Sequence, residues 1–371
     1  MSKWKTCTIG DIGTVVGGAT PSTKKEENYL GGKISWITPK DLAGFSGRYI
    51  SRGERNITEI GLNSCSTQLM PAHTVLFSSR APIGYVAIAE KEVCTNQGFK
   101  SVIPNADTDY MFLYYLLKYN KNMIENLGSG TTFKEVSGAT MRNVEIKVPE
   151  TLEEQKKIAS ILSALDDKIE NNNAINDNLR QQSIVLFDSY YSSGDSYPMK
   201  ALSDIATIKY GKGLPTKKLL PTGFPVFGGN GIIGSYNSYL YEKPQILVSC
   251  RGAASGNILV SYPKSFVTNN SLVLELNDYR YFHFIKQYLL ENPLYSYATG
   301  SAQPQITIDN IKDVQVPYPE YDSIHNLIKQ LSYYADMQYH NICENSLLCS
   351  TRDTLLPRLM SGEIDVSGID L

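Results

Sequence analysis

The sequence predicts an α+β chain made by tandem duplication: two pseudo-symmetric, β-rich globular parts separated by two long antiparallel α-helices that pack as a coiled coil. Three observations predict it. Residues 140–150, TMRNVEIKVPE, and 310–320, NIKDVQVPYPE, repeat one order of apolar, polar and proline positions at an offset of 170 residues. Before each stretch lie short β-branched and aromatic runs broken by Gly, Pro and Asn. After each comes a polar segment with apolar residues at heptad spacing.

A repeat of this length sets the architecture before any local motif does. At the same offset Gly130 falls on Gly300, Val136 on Ile306, Met141 on Ile311, Val144 on Val314 and Ile158 on Ile328. Upstream the match persists with small shifts. LFSSRAPIGYVAI (76–88) resembles LVSCRGAASGNILV (247–260), which aligns Arg80 with Arg251 and Gly84 with Gly256. TNQGFKSV (95–102) resembles TNNSLVLE (268–275), and IGDIGTV (9–15) resembles LSDIATI (202–208). Four parts result: residues 1–150, a helical part 151–196, residues 197–320, and a helical part with a tail, 321–371.

Charge follows the same division. Net charge is +3 over 1–150, −4 over 151–196, +3 over 197–320 and −4 over 321–371, counted on the sequence. Solvated helices are commonly acidic, so charge alone does not decide a partner, but basic globular parts suit a polyanion. The six cysteines, at 7, 65, 94, 250, 343 and 349, form no Cys-x-x-Cys pair and read as reduced thiols of a cytoplasmic protein. No apolar run reaches the length of a membrane span, and MSKWKTCTIG lacks a secretory apolar core.

Each helical part follows a proline. Thr151 with Glu154 three residues on forms a capping-box pattern. Ile158, Leu162, Leu165 and Ile169 keep three-four spacing, and Leu179 and Leu186 resume it. Between them, Asn171, Asn172, Asn173, Asn176 and Asn178 would weaken a seam while fixing its register, because a buried amide needs an amide opposite. Ile328, Leu331, Ala335, Tyr339, Ile342, Cys349 and Leu356 line the matching face of the second helix. Forty residues make a rod of roughly 60 Å that is not stable alone. A pseudo-two-fold axis pairs the rods antiparallel; the alternative packs each rod on its own globular part.

Each globular part carries one amphipathic helix, within 109–127 and 279–298. Their loops concentrate side chains suited to base edges and phosphates: Thr20, Ser22, Lys24, Lys25, Lys40, Asn96, Gln97 and Lys134 in the first, with Lys212, Lys217, Lys218, Asn230, Asn269, Asn270, Gln303 and Gln305 in the second. Asn and Gln pair bidentately with adenine, while Arg and Lys reach guanine or phosphate. Arg80 and Arg251, beside Gly-rich turns, contact DNA or brace their loops by a buried ion pair. Lys134 and Gln303 align in the two polar loops 127–137 and 298–307.

Catalytic signatures are weak. FGGNG (227–231) and NPLY (292–295) suggest the cofactor loop and Asn-Pro-Pro-aromatic tetrapeptide of adenine methyltransferases. Leu294 replaces the second proline, however, and no βαβ unit surrounds FGGNG. They read as a turn and a helix end. No phosphate loop, metal cluster or Ser/His/Asp order appears, so neither catalysis nor a metal is expected of this chain.

The whole construction resembles the DNA-specificity subunit of type I restriction–modification enzymes. GGATPSTKKEENYLGGKISWITPKDL (17–42) is similar to that family's opening, as is GKGLPTKKLLPTGFPVFGGNGIIGSYNSY (211–239). EQKKIASILSALDDKIENNN (154–173) and LLPRLMSGEIDV (355–366) resemble its helical ends, although Phe187-Asp188-Ser189-Tyr190 stands where the second copy has Pro357-Arg358-Leu359-Met360. The resemblance implies two target recognition domains, each reading half of a bipartite asymmetric site on double-stranded DNA. The helices would set the spacer, near one helical turn or roughly 34 Å, and dock two methyltransferase subunits. Motor-nuclease subunits would join them, and S-adenosylmethionine, ATP and Mg²⁺ would belong to those partners. Two rivals stand beside it: a coiled-coil scaffold binding only protein, and a stand-alone adenine methyltransferase.

Overall fold

The computed structural model describes residues 3–130, 134–191, 197–300 and 303–369. The stretches 131–133 and 301–302 of the two aligned polar loops, and the end of the first helical part at 192–196, lie outside the described residues. Two compact units emerge: 1–171 with 345–371, and 172–344. The division falls inside both long helices, Leu152–Tyr191 and Tyr321–Met360. Each unit thus consists of one β-rich head, half of one helix and half of the other.

In the first unit, a five-stranded sheet runs Gly13–Gly17, Lys100–Pro104, Val75–Ser79, Ile83–Ala89, Tyr49–Ile50. A three-stranded sheet runs Arg55–Ile57, Ile34–Ile37, Cys94–Thr95. Every residue of Val75–Ser79 is buried, as a central strand covered on both faces requires. A two-stranded ribbon pairs Trp4–Thr8 antiparallel with Glu145–Pro149. The repeated stretch therefore closes the head by binding its first strand to its last, and Pro149 then releases the chain into the helix. Thr151 accepts from the Glu154 amide at 3.3 Å, as the capping pattern predicts.

The second unit repeats the plan. Ala206–Tyr210, Ser271–Leu276, Ile246–Ser249 and Ile258–Val260 form one sheet; Gly231–Tyr236, Phe224–Gly228 and Phe266–Val267 form another. Met199–Ala201 pairs with Gln315–Pro317. FGGNG is the turn of the hairpin between Phe224–Gly228 and Gly231–Tyr236, and NPLY follows the end of helix Phe282–Glu291, with Leu294 buried.

Hydrogen bonds correct two of the sequence alignments by one residue. Asn96 donates to the Ile37 carbonyl, and it is Thr268 that donates to the Phe227 carbonyl in the equivalent place. Gly17 faces Lys100 while Tyr210 faces Leu272. Thr95 therefore corresponds to Val267, not to Thr268; the look-alike TNQ and TNN triplets are out of register. Likewise Ser129–Glu135 and Thr299–Gln305 are equivalent bridges, which sets Lys134 opposite Pro304 and not Gln303.

The long helices touch within each unit, running in opposite directions. In the first unit Ile158, Ala159 and Leu162 share a core with Leu359, Met360 and the head residues Leu113, Tyr115 and Ile146. In the second, Phe187 shares a core with Ile324, Leu327, Ile328, Leu331 and the head helix residues Phe284 and Ile285. Two arrangements weighed as alternatives in the sequence coexist: the helices pack on each other and on the heads.

The asparagine stretch pairs as its chemistry demands, with one correction. Asn176 Oδ1 accepts from Asn341 at 2.9 Å, an amide facing an amide, and Gln338 donates to the Asn176 carbonyl at 3.1 Å. Asn172, fully buried, donates to the Glu344 carboxylate at 2.7 Å, so an acid serves as a partner here. Of the predicted seam, Ile158, Leu162, Leu179, Ile328 and Leu331 are buried, whereas Leu165, Ile169, Leu186, Ala335, Tyr339, Ile342 and Leu356 are half-buried. Tyr339 tilts against Tyr262 of the second head, ring centroids 5.4 Å apart, and Leu356 packs against the first unit's core.

Candidate nucleic-acid interface

The first head's opening loop is shaped by two aromatic residues. Trp36, in strand Ile34–Ile37, donates its indole N–H to the Ala19 carbonyl at 3.1 Å, and the Tyr29 hydroxyl donates to the Pro21 carbonyl at 2.6 Å. Gly18 lies so close to strand Cys94–Thr95 that a Cβ there would sit 2.1 Å from the Asn96 carbonyl oxygen. The loop carrying Thr20, Ser22, Lys24 and Lys25 is thereby pressed against the loop carrying Asn96 and Gln97. Thr20 and Gln97 join by a short side-chain hydrogen bond.

Beside this contact is an open cleft of about 470 Å³, lined by Thr38, Pro39, Lys40, Arg80, Ala81, Asn96, Gly98, Lys134 and Glu135. Four predicted residues, Lys40, Arg80, Asn96 and Lys134, come here from four separate chain segments. The backbone around two of them is pinned. Ser79 donates to the Gly98 carbonyl at 2.7 Å and accepts from Val136 at 3.0 Å, which fixes Arg80 beside Glu135. Arg80 Nη1 lies 3.4 Å from Glu135 Oε2, and Lys100 Nζ lies 3.5 Å from Glu135 Oε1. The brace foreseen for Arg80 exists, but not as a buried pair: Arg80 is 35% and Glu135 40% exposed. Lys40 pairs with Glu54 at 2.7 Å, which raises its pKa. Lys25 meets Glu27 at 3.7 Å.

The second head builds the equivalent place from one arginine and amide side chains. Cys250 donates to the Asn270 carbonyl at 3.0 Å and accepts from Ile306 at 3.1 Å, repeating the pins around Ser79. Arg251 is exposed, and its backbone bridges to Gln305. Gly229, next to exposed Asn230, abuts Asn270, and Gly229 also accepts a short hydrogen bond from Ser249. Arg251, Asn230, Asn269, Asn270 and Gln305 are thus gathered on neighbouring loops, with Gln303 two residues from Gln305. Lys212 is attached to this region through its amide, which donates to the Val267 carbonyl at 3.0 Å. Lys217 and Lys218, on the short helix Thr216–Lys218, lie farther out against the hairpin, where Leu220 donates to Ser235.

Sequence reasoning missed Glu135, Lys100 and Thr38. Glu135 sits next to Lys134 in the chain and at the 170-residue equivalent of Gln305, so the repeat itself carried the signal: an acid stands in one copy where an amide stands in the other. Among the described residues, no group of His, Cys, Asp and Glu could hold a metal ion, and no helix is long and apolar enough to cross a membrane.

Comparison with known proteins agrees with this duplicated plan. The family model described as "Type I restriction modification DNA specificity domain" matches residues 1–181 and again 195–337. The chain is 34% identical over 412 residues to the type I restriction enzyme MjaIX specificity subunit of Methanocaldococcus jannaschii, covering 98% of this chain and 94% of that protein. It is 30% identical over 171 residues to the EcoR124I/EcoR124II specificity subunit of Escherichia coli, covering 44% and 41%. A crystal structure of a type I restriction–modification S subunit from M. genitalium has the same fold, with a TM-score of 0.65 at 22% identity over 97% of this chain and 96% of that one.

Proposed function

The chain belongs to the type I restriction–modification DNA-specificity family, and from that premise we propose that each head reads one half of a bipartite, asymmetric site on double-stranded DNA. One observation carries this reading: Lys40, Arg80, Asn96 and Lys134 converge on one cleft of the first head. Cations fix register on phosphates, and amides and guanidinium groups read base edges. The paired helices set the spacing between half-sites and dock two methyltransferase subunits, to which motor-nuclease subunits are added. The chain itself is a non-catalytic subunit. S-adenosylmethionine, ATP and Mg²⁺ are held by the partners, in the cytoplasm.

The direct test maps methylated adenines in the host genome with and without this gene. Loss of one two-part motif supports the proposal, and an unchanged methylation pattern overturns it. At the residue level, Arg251→Ala should weaken binding of the assembled methyltransferase and flatten its salt dependence by about one unit if this arginine meets a phosphate. An unchanged slope with lost thermal stability assigns it to bracing the loop.

A further inference from the structure

Of the groups lining the first cleft, Glu135 is the anomaly, since a carboxylate repels the phosphates that its neighbours attract. Its placement is built, not incidental. Its backbone is held by paired hydrogen bonds to Ser129, at 3.0 and 2.9 Å, and the next residue is tied to Ser79. Lys100, 15% exposed on strand Lys100–Pro104, grips one carboxylate oxygen while Arg80 lies against the other. The outward face of the Arg80–Glu135 pair remains open to the cleft. It presents guanidinium donors beside a carboxylate acceptor in a fixed order.

With the guanidinium engaging through two adjacent donors ahead of the carboxylate acceptor, that order has one complement among base-pair edges. In the major groove a G·C pair offers two acceptors, guanine N7 and O6, followed by one donor, the cytosine N4 amino group. An A·T pair instead places the adenine N6 donor between two acceptors, so a guanidinium aimed at it meets an amino group. Resting on the reading of the cleft as a DNA contact, we infer that Glu135 is a specificity-determining residue: with Arg80 it reads a single G·C pair in the half-site of the first head. Arg80 donates to guanine while Glu135 accepts from cytosine, without the pair coming apart. The second head keeps the arginine but has Gln305, an amide that accepts more weakly and also donates, in place of the acid, so the same pair imposes a weaker requirement there.

The test uses the full chain assembled with its methyltransferase subunits and a set of duplexes with each base pair of the site replaced in turn. Wild-type protein should discriminate sharply against replacing one G·C pair. Glu135→Ala should cut discrimination at that position by about tenfold, the scale of one good base contact. Glu135→Gln, which keeps an acceptor, should retain more of it, although both variants remove the same charge. Every other position, and the half-site of the second head, should be unaffected. Equal behaviour of the two variants, relaxation spread over all positions, or a critical A·T pair overturns the inference. So does early melting of the first unit without any change in base preference, which marks a structural brace. Lys134→Ala separates the two levels. If that variant leaves affinity and salt slope unchanged, the cleft does not lie on DNA and the underlying reading fails. If it weakens binding while the Glu135 variants keep the wild-type preference, only the role of Glu135 falls.

Discussion

Equivalent helices in the two heads show how differently one duplicated plan can be filled. Helix Tyr110–Tyr119 and helix Phe282–Glu291 occupy the same place, and their strand registers differ by 172 residues. Phe112 and Phe284 are both fully buried at equivalent positions. Yet Met111 and Tyr114 of the first correspond to His283 and Lys286 of the second. Burial pushes His283 down to about 3, with the Lys286 charge adding to the effect. Burial likewise lowers Lys286 to about 8, opposed by Asp336 on the second long helix. The first head seats its helices through different chemistry. Buried Arg48 bonds Glu170 at 2.8 and 2.9 Å and also meets Asp167, while Asp166 accepts from Tyr115 at 2.6 Å and from Arg352 at 2.6 Å. Duplication preserved where a helix must be held and left the means of holding it free to diverge.

The two tryptophans, Trp4 and Trp36, both belong to the first unit, so indole fluorescence follows that unit alone while hydrogen exchange follows the second. The largest expected effect is Phe187→Ala. Its ring is 1% exposed and lies 5.3 Å from that of Phe284. Its loss should destabilise the second unit by about 3–4 kcal/mol with the indole transition little changed. Arg48→Ala should do the converse, costing the first unit about 2 kcal/mol, because the carboxylates left behind are partly solvated.

The pH responses should differ on the acid side, where the second unit has the buried His283. A lysine depressed in the folded state binds fewer protons than when unfolded, so the second unit should gain stability as pH rises from about 8 towards 10. Lys286→Met should abolish that rise and add on the order of 2 kcal/mol near neutrality. His283, depressed too, should make the same unit lose stability as pH falls below about 6.5. In the first unit burial lowers the pKa of Lys118 and raises that of Tyr114, so its stability should rise as pH approaches about 10 and decline beyond it. The smallest effect is that of Asn341→Ala, which strips one amide from Asn176 and should cost about 1 kcal/mol in a denaturant titration of the second unit.

Much of this plan was legible in the sequence wherever no insertion separates the copies. The offset of 170 holds from Ser129/Thr299 through the closing ribbon, since the pins between loops and strands there are the same hydrogen bonds in both heads. Upstream, local similarity misled: TNQ and TNN look equivalent, but strand pairing decides register, and pairing is not visible in a triplet. Heptad spacing found Ile158, Leu162, Ile328 and Leu331 but not Phe187, Ile324, Leu359 or Met360. Each long helix faces both its partner and a head, and two apolar faces on one helix blur a single period. In the cleft, Arg80 was recognisable as a cation beside a glycine-rich turn. Its partner, 55 residues away, was marked in the sequence as an acid where the other copy has Gln305, and the Ser79–Val136 bond brings the two together.

Duplicating residues 172–178 and 338–344 within one chain tests the central claim most directly. Both insertions preserve the heptad and repeat the Asn172–Glu344 and Asn176–Asn341 layer. Seven residues lengthen a helix by about 10 Å, or about three base pairs of duplex. The expected methylation motif keeps both half-site sequences and gains about three base pairs between them. A motif with its original spacing, read by a folded and assembled protein, would contradict the account.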